Sequence, residues 1–520
     1  MSTVGSEDAD LVSRSENASG LDELESRFAA VGIVEVPSGS ESAKPPSILN
    51  SLAWNAAGDW AVQLISWACF PIIVRLLSPS DYGLMAMAGT FGPLVAYFSG
   101  NGIPRAIVTL RHLTEDQLAQ LNTVGCILGF FSFGLALLVS KPLSYFYGNP
   151  RVGQIFVIGC IGLIFNGIQT VSNALLLRDM KFRLLTIFGT ISAILASLTT
   201  LLLAWLGWGF WALVLGGLPS GILRTVLVMR TRKQTFAIPR WESVREPLRF
   251  AAFVVFSLMA WSFYQNLDNL VAGKTLGQIQ LGYYAMAWGL AYVPLDKVTS
   301  LVTAVMPSYF GAIQYDLAAV RRQLLKLTEG ISFLMFPSCV GFGLVAHGVI
   351  PLVMGQKWEP AVPPLEILSI YAAFRAVVAL LPKVLAAVQQ PKYVMWNDVS
   401  AIFVLGIAFW IGSHWGITGI AWGWVLAYPL VVIPLYRKTF GCIQMQTKEY
   451  IDSLLPALEA TIVMTLAVVT LKHTVHLRHL WVQTLLEVVT GVAFYGAVLL
   501  LRFRERTLAL ARALKKFRNR

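Results

Sequence analysis

RLLSPSDYGLMAMA, Arg75 to Ala88, returns later in the same chain as KTLGQIQLGYYAMA, Lys274 to Ala287. The offset from Arg75 to Lys274 is 199 positions, and it holds through the whole stretch. Leu77 falls on Leu276, Gly83 on Gly282, and Ala86-Met87-Ala88 on Ala285-Met286-Ala287. The same register pairs Ala61 with Ala260 upstream and Leu118-Ala119 with Leu317-Ala318 downstream. Further on it widens by about a dozen residues, so that Lys181-Phe182 meets Lys392-Tyr393 and Gly209 meets Gly419. An insertion near GQKWEPA, Gly355 to Ala361, accounts for the change. A repeat of this length is a duplicated domain rather than a solenoid unit. Chance likeness between apolar helices does not explain why a basic residue, a glycine and a tripeptide keep one register.

Composition says where such a chain lives. Of its 520 residues, 56% are hydrophobic and only 13% charged. Apolar runs of about 20 residues recur, long enough to cross a hydrocarbon core of roughly 30 Å as helices. Lipid leaves backbone groups unsatisfied outside helices and closed barrels, and these runs are continuous rather than alternating, so helices are expected. The net charge of +12 invites a nucleic-acid reading. Its cations sit between apolar runs instead of on one face, which is the pattern of membrane topology signals, so no nucleic-acid partner is expected. The five cysteines are scattered, with neither CxxC nor metal spacing, and no cofactor or metal is implied.

Taken in order, residues 1–48 are acidic, rich in Ser, Glu and Gly, and too poor in apolar groups to fold alone; they read as a disordered cytoplasmic tail. Residues 49–230 hold six expected spans, near 51–77, 83–108, 117–140, 152–177, 184–206 and 209–230. Residues 231–247 form a basic linker broken by Pro239 and Pro247. Residues 248–440 hold six more spans, and 441–503 a final pair. Residues 504–520 are a basic tail that carries Leu510, Leu514 and Phe517 on one helical face, either lying on the inner leaflet or simply frayed. The fold class is therefore an all-α polytopic membrane protein with about fourteen transmembrane helices. They divide into two six-helix lobes and a C-terminal pair. A unit with an even number of spans ends on the side where it began, so the two lobes are parallel repeats. The loops rich in Lys and Arg alternate with loops that hold few, and this asymmetry puts both termini in the cytoplasm.

Charges inside apolar runs are costly, at least about 2.5–3.5 kcal/mol each at mid-bilayer, and so mark a polar cavity or a buried partner. Asp59, Arg105, Asp268 and Arg375 are the chief candidates, with Arg224, Asp296, Lys297, Glu366 and Lys383 behind them. Trp261, Gln265 and Asp268 fall at i, i+4 and i+7, one polar-leaning helical stripe. For Asp59, Asp268 and Arg375, a cavity role and structural pairing both remain open. AGKT, Ala272 to Thr275, has Asp268 where a phosphate-binding loop needs glycine, so nucleotide binding is set aside. His473, His476 and His479 share one loop, as ordinary loop histidines or as metal ligands. No loop is long enough to carry a catalytic domain.

Several segments are characteristic together: RLLSPSDYGLMAMA, LTEDQL at Leu113 to Leu118, NALLLRDMKF at Asn173 to Phe182, and GWGFWALVLG at Gly207 to Gly216. The second half adds NLDNLVAGKTLGQIQLGYYAMA, VMPSYF and GQKWEPAVPPLEIL. Through them, from about Ser51 to Tyr436, the chain resembles the Wzx-type polysaccharide repeat-unit flippases. These belong to the multidrug/oligosaccharidyl-lipid/polysaccharide (MOP) exporter superfamily, and the likeness is to the branch of the colanic acid and succinoglycan exporters. It departs from the family in having Tyr82 before Gly83, where Phe is usual, and Arg105 where a small residue is usual. The resemblance implies two lobes in a V around a cavity lined by spans 1, 2, 7 and 8, with the last pair beside a groove for a lipid tail. It further implies an undecaprenyl-diphosphate-linked oligosaccharide as substrate and alternating access across the bacterial inner membrane. Membrane lipids are the surroundings, H+ or Na+ the coupling ion, and a polymerase or chain-length protein a partner; the chain is not expected to be an enzyme.

On this reading Arg75 and Lys274 stand at the outward ends of spans 1 and 7. There they close the outward gate, receive the diphosphate, or anchor the helices in the interface. Asp268, in a low-dielectric setting, is the candidate for proton coupling. Three rivals are a multidrug and toxin antiporter of the same topology, disfavoured by the extra pair and the mixed-sign charges, a lipid II flippase of the same superfamily, disfavoured by the segment matches, and a membrane polysaccharide polymerase or ligase, which needs a large catalytic loop.

Overall fold

A computed structural model describes residues 48–508 apart from 101, 110–112 and 232–234. The expected disordered head, most of the basic tail, and the side chains of Asp59 and Lys297 lie outside the described residues. Among the described residues the secondary structure is helical, without strands. The first lobe comprises α1 (Ile48–Leu76), α2 (Pro79–Gly89), α3 (Gly92–Gly100), α4 (Gly102–Thr109), α5 (Glu115–Tyr147), α6 (Pro150–Cys160), α7 (Gly162–Arg178), α8 (Phe182–Trp205), α9 (Phe210–Leu215) and α10 (Leu218–Thr231). The second comprises α11 (Trp241–Gln265), α12 (Leu267–Ala312), α13 (Leu317–Leu344), α14 (Ala346–Met354), α15 (Val362–Val378), α16 (Leu381–Ala387), α17 (Pro391–Gly412) and α18 (Gly416–Cys442). The final pair is α19 (Thr447–Thr474) and α20 (Leu480–Arg502).

Nine of these helical stretches, or ten if a bent pair counts as one span, are long and apolar enough to cross a membrane among the described residues. One such stretch, Lys392–Cys442, folds back at Ser413–Trp415, so that α17 and α18 lie side by side. Gly412 and Gly419 let them touch: a Cβ on Gly419 would stand 2.0 Å from the Gly412 carbonyl oxygen. The helix expected from 249 begins at Trp241, within the expected linker.

Both repeats make the same turn, by different chemistry. In the first, α1 ends at Leu76 and α2 departs at 113° to it. Ser78 caps α2: its Oγ accepts from the Asp81 amide at 3.3 Å, while an Asp81 carboxylate oxygen accepts from the Ser78 amide at 2.8 Å. Pro79 follows at the first helical position, where its missing N–H is no loss. In the second repeat the equivalent position, 199 residues on, is Gly277, whose φ of 80° kinks α12 in a conformation that suits glycine. Downstream, LTEDQL is indeed a helix entry, with Thr114 and Gln117 in reciprocal capping at the start of α5.

At the opposite end from these turns, the connection between the lobes is not loose. Residues 235–240 lie along α5, where the Ala237 amide donates to the Ala119 carbonyl at 3.3 Å and Thr123 Oγ1 donates to the Ala237 carbonyl at 2.8 Å. Asn122 Nδ2 reaches the Thr235 carbonyl at 3.0 Å, and Gln120 Oε1 accepts from the Arg240 amide at 2.9 Å. Val244, on the first turn of α11, is buried in the first lobe's core among Ile107, Leu121 and Leu175. Thus α11 begins on the first lobe, against α4, and continues into the second, against α17.

Candidate functional site

The repeated turns meet each other. α2 and α12 pack together at one face of the molecule, and they cross where the sequence repeats glycine. A Cβ on Gly83 would stand 1.7 Å from the Gln278 carbonyl oxygen, and one on Gly282 would stand 1.8 Å from the Pro79 carbonyl oxygen. Pro79 and Gln278 are themselves 199 apart, as Gly83 and Gly282 are. Each glycine therefore receives the first turn of the other repeat's helix, the relation that a two-fold axis through the crossing would produce. No side chain fits at either position without separating the backbones.

Polar groups close the remainder of this seam. Gln278 Nε2 donates to Ser80 Oγ at 2.9 Å, and Gln278 Oε1 accepts from Asn149 Nδ2 at 2.9 Å. Arg75, on the first lobe, donates through Nε to the Val353 carbonyl at 3.0 Å and through Nη2 to the Leu352 carbonyl. Its repeat equivalent, Lys274 on the second lobe, donates to the Phe146 carbonyl, with its ammonium 5.0 Å from the centre of the Phe146 ring. Donors 199 apart thus take acceptors 207 apart, Phe146 and Val353, each shortly before a glycine of positive φ, Gly148 and Gly355. Eight residues of the growth in register accordingly lie before GQKWEPA. That segment adds three hydrogen bonds of its own: Lys357 Nζ donates to the Arg75 and Leu77 carbonyls at 2.7 and 2.6 Å, and Trp358 Nε1 donates to the Val74 carbonyl at 3.2 Å. The buried Trp358 ring stands edge-on to Tyr82, 5.3 Å between centres.

A second concentration of polar groups lies within the second lobe. Asp268 has no exposed surface. One of its oxygens accepts from Tyr284 Oη at 2.8 Å and Trp424 Nε1 at 3.0 Å, and the other accepts from the Asn269 amide at 2.7 Å. Trp288 and Tyr371 pack against Trp424 at 5.0 and 4.8 Å between ring centres. At the edge of this aromatic block Arg375 donates to Tyr428 Oη at 2.6 Å and to Tyr264 Oη at 3.0 Å. Three donors satisfy the Asp268 carboxylate, and two phenols hold Arg375, so both charges are embedded by side chains of their own lobe. The helical stripe expected to join Trp261, Gln265 and Asp268 does not exist: the helix breaks at Asn266, leaving Trp261 exposed while Asp268 is buried on the next helix.

The expected site residues thus separate. Arg75 and Lys274 come together at the seam, Asp268 and Arg375 share the second lobe's interior, and Arg105 is exposed on α4, away from both groups. Asp59 falls on α1, with its side chain outside the described set. Lys357, Trp358 and Gln278 at the seam, and Tyr284 around Asp268, lie in quoted segments without having been singled out as site residues, and Trp424 lies outside them. For Lys357 and Trp358 the signal was their place in the segment at which the two halves lose register.

Comparison with known proteins matches residues 72–363 to the family described as "Polysaccharide biosynthesis protein". The lipopolysaccharide biosynthesis protein WzxC of Escherichia coli (strain K12) is 23% identical, over 75% of this chain and 80% of its own. The succinoglycan biosynthesis transport protein ExoT of Rhizobium meliloti (strain 1021) is 24% identical, over 67% of this chain and 71% of its own. Among solved structures, lipid II flippase MurJ in an inward closed conformation superposes with a TM-score of 0.71 at 14% identity. It covers 87% of this chain and 99% of its own, a likeness of fold.

Proposed function

The chain belongs to the polysaccharide biosynthesis protein family, and on that footing we propose that it is a flippase for lipid-linked oligosaccharides. Its substrate class is an oligosaccharide joined through a diphosphate to undecaprenol, turned from the inner to the outer leaflet of the bacterial inner membrane. The observation that carries this reading is the seam: two halves of one duplicated sequence close on each other at one face through their own repeated turn. Such a contact lets two lobes rock about a central axis and open each side in turn. The distribution of Lys and Arg assigns the seam to the external face and both termini to the cytoplasm. Arg75 and Lys274 then act as gate residues, bonded across the lobes while the outer side is shut. The protein works as a transporter and not as an enzyme, with H+ or Na+ as coupling ion and a polysaccharide polymerase or chain-length protein downstream.

The test is transport of a labelled undecaprenyl-diphosphate-linked oligosaccharide into inverted membrane vesicles. Protein-dependent protection of the label is the expected result. Vesicles that protect a small cationic drug and leave the lipid-linked sugar outside would overturn the proposal in favour of a multidrug antiporter.

A further inference from the structure

We propose that Arg75, Lys274 and Lys357 form an exit site for the substrate's diphosphate, which takes the place of the backbone carbonyls they now hold. The inference rests on the flippase reading above and assigns a chemistry to one place within it. Three cations at a single face all reach across the seam, and all five of their bonds there end on main-chain carbonyls: Leu352, Val353, Phe146, Arg75 and Leu77. A carbonyl is a neutral acceptor. Bonds from a cation to a carbonyl are already charge-assisted, and an anionic phosphate oxygen adds a second ionised partner together with the bidentate geometry that a guanidinium matches. Asp81 lies close enough for Lys357 to feel its charge, yet its own oxygens accept from Ser78 and from the Phe210 amide.

Parting the lobes removes all five acceptors together, because donor and acceptor always belong to different lobes. It would leave a guanidinium and two ammonium groups at the mouth with water as their partner, a loss that favours the shut gate. A diphosphate passing through the mouth supplies anionic oxygens for all three, with the planar guanidinium suited to a bidentate grip. Opening then becomes an exchange of partners. A substrate that carries the right anion favours the open gate, whereas one that lacks it leaves the cations to their carbonyls. Interfacial anchoring would instead direct these side chains outward to lipid headgroups, and here they point across the seam.

The experiment compares two labelled substrates bearing the same sugar in proteoliposomes, one undecaprenyl-diphosphate-linked and one undecaprenyl-monophosphate-linked. Wild type is set beside the triple variant R75Q/K274Q/K357Q. Glutamine retains an N–H donor for a carbonyl and loses the charge. The expected result is that wild type favours the diphosphate and that the variant's ratio of diphosphate to monophosphate transport falls roughly tenfold or more, as the loss of one or more charge-assisted bonds implies. An equal fall on both substrates, or no fall on either, would overturn the exit site and leave the flippase reading standing. Wild type that moves neither substrate would overturn both. The single variant K357Q, measured in the same ratio together with its thermal stability in detergent, decides the matter if the triple variant does not fold.

Discussion

The two ends of this molecule join the same lobes in opposite ways. At the seam the partners are related by the repeat, polar bonds to carbonyls surround a buried contact of Trp358 with Tyr82, and the closest approach is made by two glycines. At the other end nothing is symmetric: a stretch from the middle of the chain runs along α5, and Val244 enters the first lobe's core with Leu248 packed beside it. Polar bonds to carbonyls can be exchanged for water or other partners, at a net change of about 1.5–3 kcal/mol each where the donor is charged and less where it is neutral. A buried apolar side chain has no such substitute, and exposing one costs about 1.5–3 kcal/mol. On the proposed cycle, the contrast makes the seam the end that opens and keeps the strap of residues 235–240 with the first lobe throughout. Pro247, inside α11 just beyond the strap, interrupts the helix's hydrogen bonding and is the natural place for the lobes to pivot.

The largest effect is expected from filling the glycine crossing. Gly83→Val places atoms where only 1.7 Å separates an added Cβ from a carbonyl oxygen, so the seam cannot close. Overpacking of about 3 kcal/mol falls on the closed state alone and corresponds to roughly a hundredfold loss of transport. Gly89→Val on the same helix is the control, since nothing lies within 4 Å of a Cβ there, and it should transport normally. Equal activity of the two variants in the vesicle assay would show that the crossing is not part of the working cycle.

Next in size is a pair of cross-links, one at each end. Cysteines at Ser80 and Gln278, whose side chains are 2.9 Å apart, joined by a short bis-methanethiosulfonate linker in a background without the native cysteines, should stop transport until a reductant cleaves the link. Cysteines at Ala119 and Ala237, where backbone atoms are 3.3 Å apart, should when linked leave transport within about twofold of the cleaved control, because the strap moves with the lobe it rests on. Loss of activity with the second link would place the pivot in the strap instead.

How much of this contrast the sequence disclosed follows from where each contact keeps its information. The seam is written in side chains, or in their absence: a glycine and a basic residue recur at one spacing, so the repeat exposed Gly83, Gly282, Arg75 and Lys274 before any coordinates. What those residues touch is carbonyl oxygen, which every residue possesses, so Phe146, Leu352 and Val353 leave no mark in the sequence. The strap fails to announce itself for the same reason. RKQTFAIPR reads as a polar linker with a proline, and its bonds to α5 run largely through main-chain atoms. The helix boundary fell close at the Thr114 cap, whereas the span expected at 83–108 starts four residues earlier, after the Ser78 cap, and divides into three short helices. The boundaries failed at Asn266, an uncapped break inside an apolar run, and that failure drew Asp268 into a stripe it does not share with Trp261.

A smaller effect should come from the cluster that ties α12 to its own lobe. Tyr284→Phe removes one of the donors to a carboxylate with no access to water, and Trp424→Phe removes another. Each should lower stability by about 1–3 kcal/mol, the cost of leaving a buried acceptor short of partners. Thermal inactivation in detergent is the measurement. Because α12 also carries Gly282 and Lys274, these losses should fall on the second lobe as a whole, while the 80–278 cross-link still forms with full yield. Reduced cross-linking in Tyr284→Phe would mean that the cluster positions the seam as well as holding the lobe together.

The smallest effect belongs to the strap's side-chain bonds. Thr123→Val and Asn122→Leu each delete one hydrogen bond to the strap, at 2.8 and 3.0 Å, and leave the main-chain contact of Ala237 with Ala119 intact. Each should cost about 1 kcal/mol of thermal stability. Transport should change less than with any seam variant, since Val244 in the apolar core still fixes the start of α11 to the first lobe. Val244→Asp is the sharper companion, because it sets a charge among Ile107, Leu121 and Leu175 and should release the strap where the two milder variants do not. If the milder variants slow transport as much as Gly83→Val does, hydrogen bonds rather than buried apolar surface hold the pivot, and the two ends are more alike than their chemistry indicates.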